Sequence, residues 1–359
     1  MDIYVLNKSF EMIAIIDEYE SIIWTPRYFT YGDFELYVSA DTDLLQMLQV
    51  GNYLVRDKDI DGSTYKNVMI IRNLEISTDA ENGNHLTVTG YCLKSLLSRR
   101  IIVNQTTLSG DVVSCIQQLI NENIINPTNN ARKINNFILG NNSVINTYTM
   151  KQQITGKNLE ESISKICMTY GYGYDVCIDN GKFSFYVYEG ADRSYNQFTN
   201  PFVVFSPEYD NLLSSDYIVN NDNFANAAVV AGEGEGTARK KVTVGTATGL
   251  DRYEVWIDSR NTSSNNGEIS DAEYTELLTE EGVESLSEMV TTTTFGGEID
   301  STINYVINQD YFLGDIVQVE NDYGILATTR IIEIIESEDD TGSSIIPTFA
   351  EMEVQDNAN

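Results

Sequence analysis

The chain is 359 residues long and carries 54 Asp+Glu against 22 Lys+Arg and one His, a formal net charge of −32. Such a field repels phosphate and argues against attraction to DNA, RNA or anionic lipid. At roughly 150 residues per domain the length predicts two or three domains, and 42% hydrophobic with 21% charged residues supports a packed core rather than disorder. No apolar run reaches the roughly 18 to 20 residues a membrane span needs. The opening stretch, MDIYVLNKSFEMIAIIDEYE, lacks the basic region and apolar block of a secretion signal. The expectation is a soluble protein made and kept in a cytoplasm.

Residues 1–104 read as β. Phe34, Leu36 and Val38 alternate with Glu35, Tyr37 and Ser39 after the turn Tyr31-Gly32-Asp33. A short helix capped near Asp41 or Thr42 follows, and Gly51-Asn52 opens the strand YLVRD. Asp61-Gly62 is a hairpin turn, VMIIRNLEIS the returning strand, and Asn82-Gly83 a turn into HLTVTGY. Short strands with tight turns describe a small barrel or sandwich.

From about 105 to 210 the pattern changes. Val112, Val113, Ile116, Leu119, Ile120 and Ile124 give a helical period over 111–126, closed by Pro127. A second helix spans 158–170, with Leu159, Ile163, Ile166 and Cys167 on one face and Gly171 at its end. Strands YGYDVCID and KFSFYVYEG follow, joined by the hairpin signal Asn180-Gly181. This is a compact α+β unit.

From about 211 the chain returns to β, with FANAAVVAGEG, RKKVTVG, RYEVWID, residues 302–307, DIVQVEN and TTRIIEIIES. Ser270-Asp271-Ala272-Glu273 forms a capping box ahead of an acidic helix that reaches about Val290. An internal echo links the two β regions. Gly51-Asn52 precedes YLVRD and then Arg72-x-x-Glu75-Ile76; Gly314-Asp315 precedes IVQVEN and then Arg330-x-x-Glu333-Ile334. Two origins fit: coincidence between degenerate β motifs, or a duplicated barrel module.

Catalytic and metal signatures are sparse. Any triad would need His85, which reads as a solvated strand-end residue. Cys92, Cys115, Cys167 and Cys177 occur singly in apolar contexts, which suits small buried hydrophobes in a reducing compartment. Gly232-Glu233-Gly234-Glu235-Gly236 would set two carboxylates against a phosphate, so it reads as a loop. Asp57, Asp59 and Asp61 match half of a calcium loop, but Val68 stands where a bidentate Glu is required. A solvated hairpin turn and an adventitious calcium site both remain open there. Paired carboxylates alone leave a glycosidase formally possible.

Several segments taken in order resemble a known family. They are Trp24-Thr-Pro-Arg27-Tyr28-Phe29-x-x-Gly32-Asp33-Phe34-Glu35-Leu36, then Gly51-Asn52, then Thr89-Gly90-Tyr91-x-Leu93-x-x-Leu96-Leu97-x-Arg99-Arg100-Ile101-Ile102. Gly156-x-Asn158-Leu159, Gly171-Tyr-Gly-Tyr, Glu189-Gly190-x-Asp192-Arg193-Ser194 and Val204-Phe205-Ser206 come next. Asn226-x-Ala228-x-Val230-x-Gly232-Glu233-Gly234, Gly249-Leu250-x-Arg252-x-Glu254 and Tyr311-x-Leu313-Gly314-Asp315-x-Val317 complete the set. Together they resemble the tail-hub (tail-associated, baseplate-hub-like) proteins of phages and prophages of Gram-positive bacteria.

The resemblance implies an α+β, mainly β fold like the baseplate hub of contractile tails. It would have two related β-barrel-like hub domains, at 1–104 and at 211–262 with 295–350. An α+β domain at 105–210, a helical insertion at 263–294 and a tail at 351–359 would complete it. It implies a virion structural protein at the tail tip or baseplate, synthesised in the host cytoplasm, with no enzymatic activity, no cofactor and no metal. Three copies would form a pseudo-sixfold ring between the distal tail protein and tube ring above and tail-tip or receptor-binding subunits below, and genomic DNA would pass without binding. The chain stops at Asn359 soon after the last barrel strand, so hydrolysis or adhesion would fall to other subunits. Arg193, Arg252 and Glu254 are candidates for structural or interface ion pairs. A monomeric carbohydrate-binding β protein and a carboxylate-based glycoside hydrolase at the cell wall remain as alternatives.

Overall fold

The computed structural model describes residues 1–79, 83–296, 299, 303–350 and 353–354. Strands β1 (Ile3–Leu6), β2 (Met12–Ile16), β3 (Ser21–Thr25) and β4 (Asp33–Ser39) open the chain. In β4 the expected alternation is realised: Phe34, Leu36 and Val38 are buried while Glu35 and Ser39 are exposed. Helix α1 (Thr42–Met47), capped by Asp41, leads to β5 (Tyr53–Arg56), the hairpin β6 (Ile60–Asp61) and β7 (Thr64–Tyr65), and the long pair β8 (Met69–Asp79) and β9 (Gly83–Cys92). Asn82 of the expected second turn lies outside the described residues; Gly83 enters β9 at φ +90°.

The middle region begins with β10 (Thr106–Asp111) and α2 (Val112–Ile120), whose N-cap Asp111 accepts from the Ser114 amide at 2.8 Å. The apolar period runs on to Ile124, yet the α-helix ends at Ile120 and widens into one π-turn over Asn121–Ile125. There the Asn126 amide donates to the Asn121 carbonyl at 2.7 Å, which ends the helix one residue before Pro127 would break it. After β11 (Phe137–Leu139) and β12 (Thr149–Ile154), α3 (Leu159–Tyr170) is capped by Asn158 and closed by Gly171 at φ +72°. Strands β13 (Gly173–Asp179) and β14 (Lys182–Tyr188) turn at Asn180 and Gly181, both left-handed.

The C-terminal region holds β15 (Val204–Phe205), β16 (Asp216–Asn220), β17 (Ala227–Ala231), β18 (Lys241–Val244) and β19 (Glu254–Asp258). Then come α4 (Asp271–Ser287), β20 (Thr292–Gly296), β21 (Ile316–Glu320), β22 (Leu326–Asp339), β23 (Gly342–Phe349) and β24 (Glu353–Val354). The capping box of α4 forms as expected between Ser270 and Glu273.

A twelve-stranded sheet runs β15-β21-β22-β3-β4-β9-β8-β5-β1-β2, with β23 and β24 also on β22; among the described strands the path does not close on itself. A second sheet, β11-β14-β13-β7-β6, backs α3, and β18-β17-β19 forms a third beneath α4. The architecture is α+β and mainly β, as the sequence and the resemblance imply.

The internal echo is a repeat in hydrogen bonding. The Gly51 amide donates to Ile71 at 2.9 Å and Ile71 donates to Asn52 at 3.0 Å; Gly314 donates to Ile331 at 2.8 Å and Ile331 to Asp315 at 2.9 Å. Both glycines are left-handed, at φ +91° and +97°. Each long strand then bulges at the next residue, between Ile71 and Asn73 and between Ile331 and Glu333. Thus β5, β8 and β9 correspond to β21, β22 and β23, with Ile71 equivalent to Ile331. The R-x-x-E-I match is two residues out of this register.

Apolar burial supplies the cohesion, at roughly 1.5–3 kcal/mol for each fully buried large aliphatic or aromatic side chain. The largest core joins the first β region to α2, α3, β13 and β14 through Val55, Ile70, Leu97, Ile116, Ile163 and Phe185. Trp24, Leu36 and Leu86 centre a second, Phe205, Tyr311 and Ile331 a third, and Val230, Tyr274 and Leu278 a small fourth under α4.

Candidate functional site at the junction of the β regions

Just after β3, the segment Pro26-Arg27-Tyr28 crosses from the first β region to the last. The bulge at Ile332 frees its carbonyl, and the Tyr28 amide donates to it at 2.7 Å, while Ile334 donates to Pro26 at 3.1 Å. Arg27 binds Asp33 at 2.7 Å and Glu333 at 2.5 Å, one carboxylate from each region. Thr348 adds a hydroxyl to Glu333 at 3.0 Å.

The Tyr28 ring is wholly buried. A Cβ on Gly173 would lie 2.3 Å from its Cε2 and one on Gly314 2.2 Å, so only bare backbone can flank it. Its hydroxyl donates to the Gly171 carbonyl at 3.1 Å and accepts from the Gly190 amide at 3.1 Å. Burial pushes the phenol up to about 12, against the opposing pull of Arg330. The Arg330 guanidinium lies 5.3 Å over the ring and donates to Gly314 at 2.5 Å. One side chain thereby ties together residues near 28, 171–190 and 314–332.

A cavity of about 430 Å³ opens beside this junction, lined by Arg27, Lys94, Asp175, Tyr186, Arg193 and Asp315 among others. Buried Lys94 donates to the Arg27 carbonyl and lies 4.9 Å from the Tyr174 ring centre. Burial, offset by Lys94, raises the Asp175 carboxyl. Tyr174 and Thr30 both donate to the buried Glu160, at 2.6 and 2.9 Å. These groups satisfy one another across elements, as a structural joint requires.

The sequence candidates separate clearly in space. Arg193 reaches Asp315 at 2.6 Å, and Asp315, nearly inaccessible, also accepts from the amides of Ala191 at 2.7 Å and Phe312 at 3.0 Å. Arg252 and Glu254 pair locally at 2.7 Å on the surface, far less buried. Asp57, Asp59 and Asp61 do not converge. Asp59 accepts from the buried Arg56 at 2.5 Å and from Asn67 at 2.7 Å, and among the described residues no cluster of three His, Cys, Asp or Glu is placed to hold a metal.

Sequence reasoning missed Arg56. It lies 1% exposed, 4.9 Å over Trp24, and binds Glu336 of β22 at 3.0 Å as well as Asp59. This ion pair stands where β22 pairs with β3, Glu336 opposite Trp24. A lone Arg at a strand end offers no local signal of a partner so distant in sequence.

Among the described residues no helix is long and apolar enough to cross a membrane. The fold is similar to that of a 43 kDa tail protein of prophage MuSo2 from Shewanella oneidensis, with TM-score 0.58, 12% identity and 98% of both chains covered. It is similar to prophage tail protein gp18 from Listeria monocytogenes, at TM-score 0.56 and 13% identity over 99% of this chain and 95% of that one. A tail protein from Neisseria meningitidis aligns at TM-score 0.54 and 14% identity over 97% and 96%. No curated protein sequence matches the chain. Residues 2–349 match the model of the Siphovirus ReqiPepy6 Gp37-like proteins, and with nearly its whole length inside that model the chain belongs to this phage protein family.

Proposed function

We propose that this protein is a structural hub subunit of a phage or phage-like tail, without enzymatic activity, located at the tail tip or baseplate. The observation that carries this reading is the repeat of the Gly51–Ile71–Asn52 hydrogen-bond pattern at Gly314–Ile331–Asp315. Two equivalent β modules per chain let three copies present six equivalent units, the number needed to match a sixfold tube to a threefold tip. Family membership and the tail-protein fold support the same reading.

In this arrangement the first module is residues 1–104 and the second is built from β16, β20 and 303–350. The expected bounds are 211–262 with 295–350 for the second module and 263–294 for the insertion. Because β18-β17-β19 form a sheet of their own against α4, the insertion is drawn wider here and takes those three strands with it. The α+β unit at 105–210 braces the first module. The tube ring and distal tail protein lie on one side and tail-tip or receptor-binding subunits on the other. A net charge of −32 per copy suits a lumen through which DNA passes without sticking.

Light scattering of the purified chain at tens of micromolar tests this directly. A mass near three times 40.3 kDa is expected, and a monomer at every concentration overturns the ring. Charge reversal of lumen-facing acids in the assembled ring is expected to make it retain DNA; unchanged passage overturns the electrostatic role.

A further inference from the structure

The joint between the two modules within one chain implies a second joint between chains. Residues 336–339 of β22 pair antiparallel with β3, from Glu336 opposite Trp24 to Asp339 opposite Ser21. With Ile71 equivalent to Ile331, the matching stretch of β8 is residues 76–79. Among the described residues that stretch pairs with β9 alone, so its other edge is open.

The counterpart of β3 is also identifiable. Strand β3 pairs with β4, which pairs with β9. In the second module β16 pairs with β20, which lies beside β23, the equivalent of β9. Strand β16 therefore stands in the place of β3. Among the described residues it pairs only with β20 and leaves its own edge open.

Both open edges are apolar at the surface: Ile76 is 53% exposed, Ile218 57% and Val219 55%. Comparison with the filled joint is informative. There Glu336 and Glu338 are neutralised by Arg56, Lys58 and the N-terminal ammonium. At the open edge their equivalents are Ile76 and Thr78, so neither of these two positions carries an acid. The one acid of the stretch, Asp79, is equivalent to Asp339, which ends the filled joint opposite Ser21. Solitary edge strands are normally guarded by Lys, Pro or inward charges. Neither 76–79 nor 216–220 carries a Lys or Pro, and their only charges, Asp79 and Asp216, stand at the strand ends.

We infer that residues 76–79 of β8 in one copy pair with β16 of a second copy, repeating between chains the β22–β3 joint made within each chain. The inference rests on the hub reading above and names the surface through which that ring closes. The interface is head-to-tail, the kind that forms closed rings when the rotation permits, and main-chain hydrogen bonding of one edge to another supplies its geometry.

Cross-linking tests the assignment in the full chain, since all four native cysteines are buried. The double variant Ile76→Cys/Val219→Cys, treated with a short bismaleimide, is expected to give dimer and trimer bands, and each single variant only monomer. Ile76→Glu is expected to weaken assembly by about tenfold or more, because a carboxylate would be desolvated without a partner, while thermal unfolding of the monomer is unchanged. A trimeric mass with no cross-link and no effect of Ile76→Glu overturns the edge assignment and leaves the hub reading standing. A monomeric mass for the unmodified chain at all concentrations overturns the hub reading, and the assignment with it.

Discussion

Tyr28 and Gly314 are packed so closely that a Cβ on the glycine would lie 2.2 Å from the ring's Cε2. Gly314 also holds φ +97°, a region L side chains avoid. Gly314→Ala therefore adds backbone strain to a steric clash, with an expected cost of about 3 kcal/mol or more. Tyr28→Phe keeps the ring but leaves the Gly190 amide without its acceptor, an expected cost of roughly 1–3 kcal/mol. Urea unfolding at neutral pH measures both; a loss under about 1 kcal/mol for the glycine variant would mean that the ring moves aside.

The two arginine pairs singled out from the sequence are expected to differ sharply. Asp315 is nearly inaccessible and bonds Arg193 plus two amides, so Asp315→Ala leaves a half-buried guanidinium and two donors unpaired. About 3–5 kcal/mol is the expected loss. Arg252→Ala breaks only a surface pair with Glu254 and is expected to cost under about 1 kcal/mol. Equal losses in denaturant titrations of the two variants would contradict this ordering.

Acid is expected to loosen the β22–β3 joint. Tyr19 donates to Glu338 at 2.5 Å and the N-terminal ammonium lies at 3.1 Å. The tyrosine hydroxyl, with the ammonium behind it, holds this carboxyl below its ordinary 4.5. A depressed carboxyl gives stability that is present above the unfolded value and lost as pH falls through the folded one. Glu284 works with the opposite sign. Burial raises it despite Lys165, so its contribution is present below 4.5 and lost as pH rises through the folded value. Glu338→Gln is expected to flatten the acid limb of a stability–pH profile, and Glu284→Gln to remove the decline above it. Profiles parallel to the unmodified chain in either variant would refute the corresponding assignment.

Thiol chemistry offers a simple check of the cores. All four cysteines are buried, and burial pushes the Cys177 thiol up to about 11. A disulfide-exchange reagent at pH 8 is expected to titrate no thiol in the native chain and four after denaturation. Rapid reaction of one native thiol would show that its core opens.

Local signals carried much of this fold. Asn158 and Gly171 bound α3, Ser270 and Glu273 start α4, and Asn180-Gly181 turns β13 into β14; each of these acts on its own few neighbours. The duplication was also visible, but its register was not. A strand motif shifted by two residues shows the same face pattern, so Arg72 aligned with Arg330 although the hydrogen bonds equate Ile71 with Ile331. Asp59 resembled half of an ion-binding loop because its real partner, Arg56, is held from the far end of the chain by Glu336. The same distance hid Asp315 from Arg193. Tyr28, Gly171 and Gly314 each fall in a separate motif, and nothing local announces that they meet.

Strand β22 ties the two β regions together: its first half pairs with β21 and its end with β3. The two regions are accordingly joined through paired strands. A force that slides one module past the other loads a row of parallel backbone bonds in shear, and these give way together or not at all. The two halves are expected to behave as a single stiff plate, melting in one transition and passing a displacement at one rim to the other undiminished.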